Sequence, residues 1–182
     1  MKRRIGLIVG AVTIALGASA CSSQTHAEYA SYSSFDEIAA ASVDVVEVTV
    51  GKSHKETLYS EGFTGDDPET NPYLGVKESD RPSPEDLSVD VIVYDTSVEA
   101  TYKGTTKSGD LVEVHQLPNE AGGVPLEEGK TYLLFLLSAK GYPSGILGGP
   151  QGQFLVTESG YEAAETITPL KITQSDLASI SG

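Results

Sequence analysis

Few residues of this 182-residue chain have side chains whose chemistry reaches beyond packing: three histidines, one cysteine, a knot of acids and a Ser-containing turn. His26, His54 and His115 stand far apart, without the close spacing of metal motifs, so surface or hydrogen-bonded roles are expected of them. Asp66, Asp67 and Glu69 fall within four residues, beside Gly65 and Asn71. Calcium takes several oxygen ligands from a flexible loop, which makes these three acids the calcium candidates. The segment lacks the spaced ligands and closing bidentate Glu of an EF-hand loop, and a solvated acidic loop is the plainer expectation. A nucleophilic hydrolase needs Ser or Cys on a sharp turn beside a base. No Gly-x-Ser-x-Gly occurs, and Tyr142-Pro143-Ser144-Gly145 reads as a turn. Gly148-Gly149-Pro150-Gln151-Gly152 has no Lys-Ser/Thr after it and no helix starting there, so it reads as a tight strand connection rather than a phosphate cradle. No catalytic residue and no cofactor other than that possible calcium is expected.

Cys21 is the only cysteine, so neither an internal disulfide framework nor a thiolate zinc cluster is available. Lys2, Arg3 and Arg4 open the chain, an apolar run covers Ile5 to Leu16, and Gly17, Ala18, Ser19 and Ala20 follow. That is the layout of an export signal. From Ile5 to Ala20 it has 16 residues, against the ~20 of a membrane-spanning helix. The residues Ala18-Ser19-Ala20-Cys21 resemble the lipobox of bacterial lipoproteins. The resemblance implies diacylglycerol on the Cys21 sulfur and cleavage just before it, making 1–20 a signal peptide. Two or more acyl chains give stable anchoring, so the expected address is a membrane, lipid-anchored and outside the cytoplasm. Ser22 resembles the residue found there in outer-membrane-sorted lipoproteins. Residues 21–33 are Ser-rich and polar and read as a flexible tether.

With 26 Asp+Glu against 12 Lys+Arg, the formal net charge is −14. Such acidity argues against nucleic acid and against direct adhesion to anionic lipid. At 39% hydrophobic and 21% charged the composition is that of a globular protein, and residues 34–182 fit one domain. Ser34 with Glu37 three residues on predicts a short helix over 35–42, and Val46, Val48 and Val50 alternate in a strand ending at Gly51. Residues 52–86, rich in acids and prolines, read as a long irregular loop, with a short hairpin arm at 57–63. Alternation resumes from 88 to 102, with a bulge near Thr96. Further strands are expected at 111–117, at 131–138 buried on both faces, and at 153–157, with one short strand at Ile146-Leu147. Thr173 and Asp176 ahead of Leu177 and Ile180 predict a small C-terminal helix.

The expected fold is mainly β: a small five-stranded OB-like closed or half-closed barrel with short N- and C-terminal helices. The pieces Val45 to Gly51, Val98 to Gly104 (V-E-A-T-Y-K-G), Gly109 to Val114, Gly129 to Leu136 and Gly148 to Phe154 resemble a class of secreted bacterial domains. Their layout is similar to the OB-fold-like N-terminal module of netrins and tissue inhibitors of metalloproteinases, without the disulfides of the animal modules. The function expected is that of a non-enzymatic, lipid-anchored envelope domain, a monomer binding an unidentified envelope protein, peptide or other ligand, with the 52–86 loop as contact surface. A calcium-dependent adhesive or structural module, and an envelope hydrolase, are the alternatives.

Overall fold

The computed structural model describes residues 29–59, 73–77, 80–81, 83, 86, 88–118, 123–138, 141–165 and 169–181. Seven strands form one sheet: β1 (Asp44–Leu58), β2 (Val89–Lys103), β3 (Leu111–Gln116), β4 (Thr131–Leu137), β5 (Ser144–Ile146), β6 (Gln153–Thr157) and β7 (Gly160–Ala163). Helices α1 (Phe35–Ala41) and α2 (Gln174–Ile180) flank it. The strand order β1-β2-β3-β5-β4-β6-β7, with a further β1–β4 pairing, closes the first five strands into a ring. β3 and β5 run parallel and the other pairs are antiparallel. The fold is mainly β, of the OB-like kind expected.

Alternation along the strands makes two apolar layers. Val46, Val48 and Val50 of β1 meet Tyr94 and Val98 of β2, Val114 of β3 and Leu134 and Leu136 of β4 inside the ring. The intervening Val45, Leu133 and Phe135 face outward and are fully buried beneath α1 and α2. There Phe135 makes edge-to-face contacts with Phe35 and Phe154, at centroid distances of 6.1 and 6.0 Å. β4 is thus buried on both faces, as its unbroken apolar run predicts.

β1 does not end at Gly51. It continues to Leu58, with Ser53 to Leu58 pairing Tyr94 to Val89 of β2. Its second half is polar and mostly exposed, so it carries no alternation; backbone pairing with β2 keeps it extended. Gly51 is instead part of a bulge. The register jumps from Val50↔Thr96 to Ser53↔Tyr94, and a Cβ on Gly51 would sit 3.0 Å from the Asp95 carbonyl oxygen. The irregularity expected near Thr96 is there, but its one extra residue lies on the partner strand.

The α1–β2 corner explains the K-G of the V-E-A-T-Y-K-G segment. Lys103 Nζ donates to the carbonyls of Ala39 (2.7 Å), Ala40 (3.2 Å) and Ser42 (2.7 Å), satisfying acceptors at the helix C-terminus. Gly104 follows at φ 104°, where an added Cβ would meet the Asp44 carboxylate at 2.0 Å. Asp44 in turn accepts from Thr105 N, Thr106 N and Thr106 Oγ1 at 3.1, 3.4 and 2.9 Å. The caps also follow the sequence: Ser34 Oγ accepts from Glu37 N, and Thr173 with Asp176 completes a capping box on α2. Glu37, however, accepts from Ser33 N and Oγ, at 2.8 and 2.7 Å.

Tyr32, in the stretch read as tether, is clasped from both sides by one amide: Tyr32 N donates to Gln151 Oε1 and Gln151 Nε2 donates to Tyr32 O, each at 2.8 Å. Gln151 lies in the Gly149–Gly152 3-10 turn that follows Gly148; Gly148 and Gly149, at φ 68° and 56°, take the positive-φ conformations that suit a tight connection.

Candidate functional site

One row of the sheet gathers the residues of interest. Val93 pairs with His115, His115 with Gly145, and Gly145 with Leu137, so strands β2, β3, β5 and β4 set these four side by side. Residues paired directly across strands share a face. Leu137 alternates with the inward-facing Leu136, so the row lies on the outer wall of the ring, away from its interior. A cavity of about 860 Å³ opens along that wall. Leu58, Tyr59, Val89 and Val91 bound it at the β1–β2 tip, and Tyr142 and Pro143 bound it from the β4–β5 connection. The Tyr142 hydroxyl donates to the Tyr59 carbonyl at 2.8 Å, tying those two sides together.

The described lining is mostly apolar. No Asp, Glu, Lys or Arg is among the described residues that line it, in a chain whose net charge is −14. Tyr59, Val89 and Leu137 are 52%, 46% and 44% exposed, which is unusual for large apolar groups gathered at one place. A pocket of this size with few polar groups is the usual form of a small-molecule site.

Its polar groups are fixed by neighbours. His115 Nδ1 lies 2.9 Å from the Pro143 carbonyl oxygen. A carbonyl only accepts, so Nδ1 carries the proton, and in that tautomer Nε2 is the acceptor. The imidazole lies flush against Gly145, where a Cβ would sit 3.1 Å from Cε1 and 3.4 Å from Nε2. Ser138 bonds Ser144 Oγ at 3.0 Å and donates to Asp44 Oδ2 at 3.5 Å. Gln116 Nε2 donates to Gln153 Oε1 at 2.7 Å, and its own Oε1 is buried with no partner among the described residues. Neither serine hydrogen-bonds to His115 among these contacts.

On the covered part of the same outer wall, Tyr102 and Tyr161 each donate to Glu47 Oε1 at 2.7 Å, and Gln174 Nε2 donates to the Tyr161 hydroxyl at 2.7 Å. Burial and the neighbouring Tyr102 and Glu47 push the Tyr161 phenol far above its usual range. Burial also raises Tyr102, helped by the Glu47 charge, while its contact with Tyr161 pulls the other way. This cluster joins β1, β2, β7 and α2.

Of the sequence-derived candidates, Cys21, Asp66, Asp67, Glu69 and His26 lie outside the described residues, as does most of the loop from 60 to 87. His54 is on β1, 3.5 Å from Glu56 and half exposed. Val93 stands between His54 and His115 in the register. The backbone positions of the two histidines are therefore two strand spacings apart, about 10 Å. No group of three or more metal-ligating side chains occurs among the described residues. No helix among them is long and apolar enough to cross a membrane. Sequence reasoning left His115 as an ordinary strand histidine. The signal it lacked was the parallel β3–β5 pairing, which sets Gly145 beside it. Compared with known protein families and with curated proteins, the chain matches none.

Proposed function

We propose that this protein is a lipid-anchored binding module of the cell envelope, non-enzymatic, that takes an apolar small molecule into the outer-wall cavity. The observation that carries the reading is the cavity itself: about 860 Å³ whose described lining holds no charged residue. In so acidic a protein, a cavity with an uncharged and mostly apolar described lining has the character of a ligand site. The membrane half of the reading rests on the sequence, where a positive start, a short apolar run and small residues lead to Cys21. The acyl chains on Cys21 hold the protein at the bilayer, and its acidity keeps the domain off anionic headgroups.

The two halves are tested separately. Mass spectrometry of protein from its native cell is expected to find Cys21 as the amino terminus carrying diacylglycerol; a bare thiol removes the anchor. Titration of the full chain bearing Cys21→Ser with N-phenyl-1-naphthylamine, a neutral apolar dye, is expected to give a saturable fluorescence rise at one dye per chain. Absence of saturable binding removes the cavity as a ligand site.

A further inference from the structure

We propose that the cavity selects a neutral amphiphile, an acyl chain bearing a hydroxyl headgroup, and that the headgroup donates a hydrogen bond to His115 Nε2. The proposal rests on the binding-module reading and adds the ligand class and the residue that chooses it.

Charge comes first. An anion entering this wall meets no Lys or Arg among the described lining residues and approaches a chain of net −14. A cation meets no lining carboxylate there, since Asp44, next to Ser138, is occupied by Thr105 and Thr106. The ligand that loses least on leaving water is uncharged.

Hydrogen-bonding capacity comes second. The Tyr142 hydroxyl proton goes to Tyr59 O, the Ser138 hydroxyl is engaged by Ser144 and Asp44, and the Gln116 amide nitrogen donates to Gln153. His115 Nδ1–H goes to Pro143 O, and Nε2 has no hydrogen-bond partner among the described residues. The side chains leave open two acceptors, His115 Nε2 and Gln116 Oε1, beside the Tyr29 and Tyr59 hydroxyls that also line the cavity. The matching uncharged group is a hydroxyl, which can donate to the ring nitrogen and accept from a phenol.

Position comes third. The Pro143 carbonyl and the bare Gly145 backbone hold the imidazole against the wall, with Val91 and Leu137 among the cavity's apolar lining. A headgroup at Nε2 leaves the hydrocarbon of the same molecule to cover Val89, Val91 and Leu137, which removes their exposed surface from water.

Three probes of equal chain length separate the possibilities, each titrated by calorimetry below its micelle concentration into the full chain bearing Cys21→Ser. These are 1-monolaurin, neutral with hydroxyls; methyl laurate, neutral without a donor; and laurate, an anion. Monolaurin is expected to bind about tenfold more tightly than methyl laurate, the value of one net hydrogen bond, and laurate weakest of all. His115→Leu should remove the monolaurin preference over methyl laurate, and His115→Gln, which keeps an acceptor, should retain part of it. Equal binding of the two esters, tighter binding of laurate, or a preference that survives His115→Leu overturns the proposal while the binding-module reading stands. If neither ester binds, the binding-module reading falls as well. The unsubstituted histidine chain gives the probe series on its own, so a variant that fails to fold does not remove the test.

Discussion

The outer wall of the ring has two halves built on the same strands and treated in opposite ways. Along β4, Leu133 and Phe135 face outward and are fully buried under α1, α2 and Phe154, whereas Leu137, next on the same face, is 44% exposed beside the cavity. The covered half is closed at its corner by Lys103, Gly104 and Asp44, where helix-end carbonyls, turn amides and a buried carboxylate find partners. The cavity half keeps large apolar groups in contact with water and leaves the His115 lone pair unused. The difference teaches where each half spends its sequence. The strong motif of this chain, V-E-A-T-Y-K-G, maintains the covered half, and the cavity is made from residues that form no motif at all.

That contrast predicts that changes in the covered half lower stability, while changes in the cavity half lower binding. The largest effect is expected from Gly104→Ala, which must place a methyl at a positive φ and against the Asp44 carboxylate. It should cost about 3 kcal/mol in urea unfolding; a cost within 0.5 kcal/mol of zero, the ~0.5 kcal/mol range of ordinary surface changes, would show that the corner yields. Lys103→Met keeps the stem and removes the ammonium from three carbonyls, and should cost about 2 kcal/mol.

Smaller and pH-dependent is the effect at Tyr161. Its phenol is raised above the unfolded value of 10.0 by burial and by its contacts with Tyr102 and Glu47. The unfolded chain therefore loses this proton first. The stabilisation is whole below pH 10 and drains away as pH climbs beyond 10 toward the raised folded-state value. Tyr161→Phe should lower stability by about 1 kcal/mol at pH 8 and flatten the fall in stability above pH 10.0; an unchanged alkaline slope would contradict the assignment. The smallest change in stability belongs to Leu137→Ser. Nearly half exposed, it should shift unfolding by less than ~0.5 kcal/mol while weakening N-phenyl-1-naphthylamine binding several-fold. If it instead destabilises the fold and spares the dye, the two halves are not different in kind.

Much of the covered half could be read in the sequence because its signals are local. The unbroken T-Y-L-L-F-L-L run announces a strand buried twice, and Thr173 with Asp176 announces a helix start. The second half of β1 could not be read so, because Ser53 to Thr57 carry no apolar alternation and owe their conformation to β2, more than 30 residues away. β7 was equally silent, four residues held by a hairpin with β6. The cavity was the least legible of all. It depends on the parallel pairing of His115 with Gly145 and on Tyr59 meeting Tyr142, contacts between segments whose spacing in the chain carries no period.

The central claim is that the outer-wall cavity, uncharged in its described lining, is where this protein binds. Amide chemical-shift mapping of the full chain bearing Cys21→Ser, titrated with 1-monolaurin, reads it residue by residue. Saturable shifts concentrated at Val91, His115, Gly145 and Leu137, with Lys103, Tyr161 and Leu177 still, are the predicted result. Shifts centred on the α2 side, or none at saturating ligand, would contradict it.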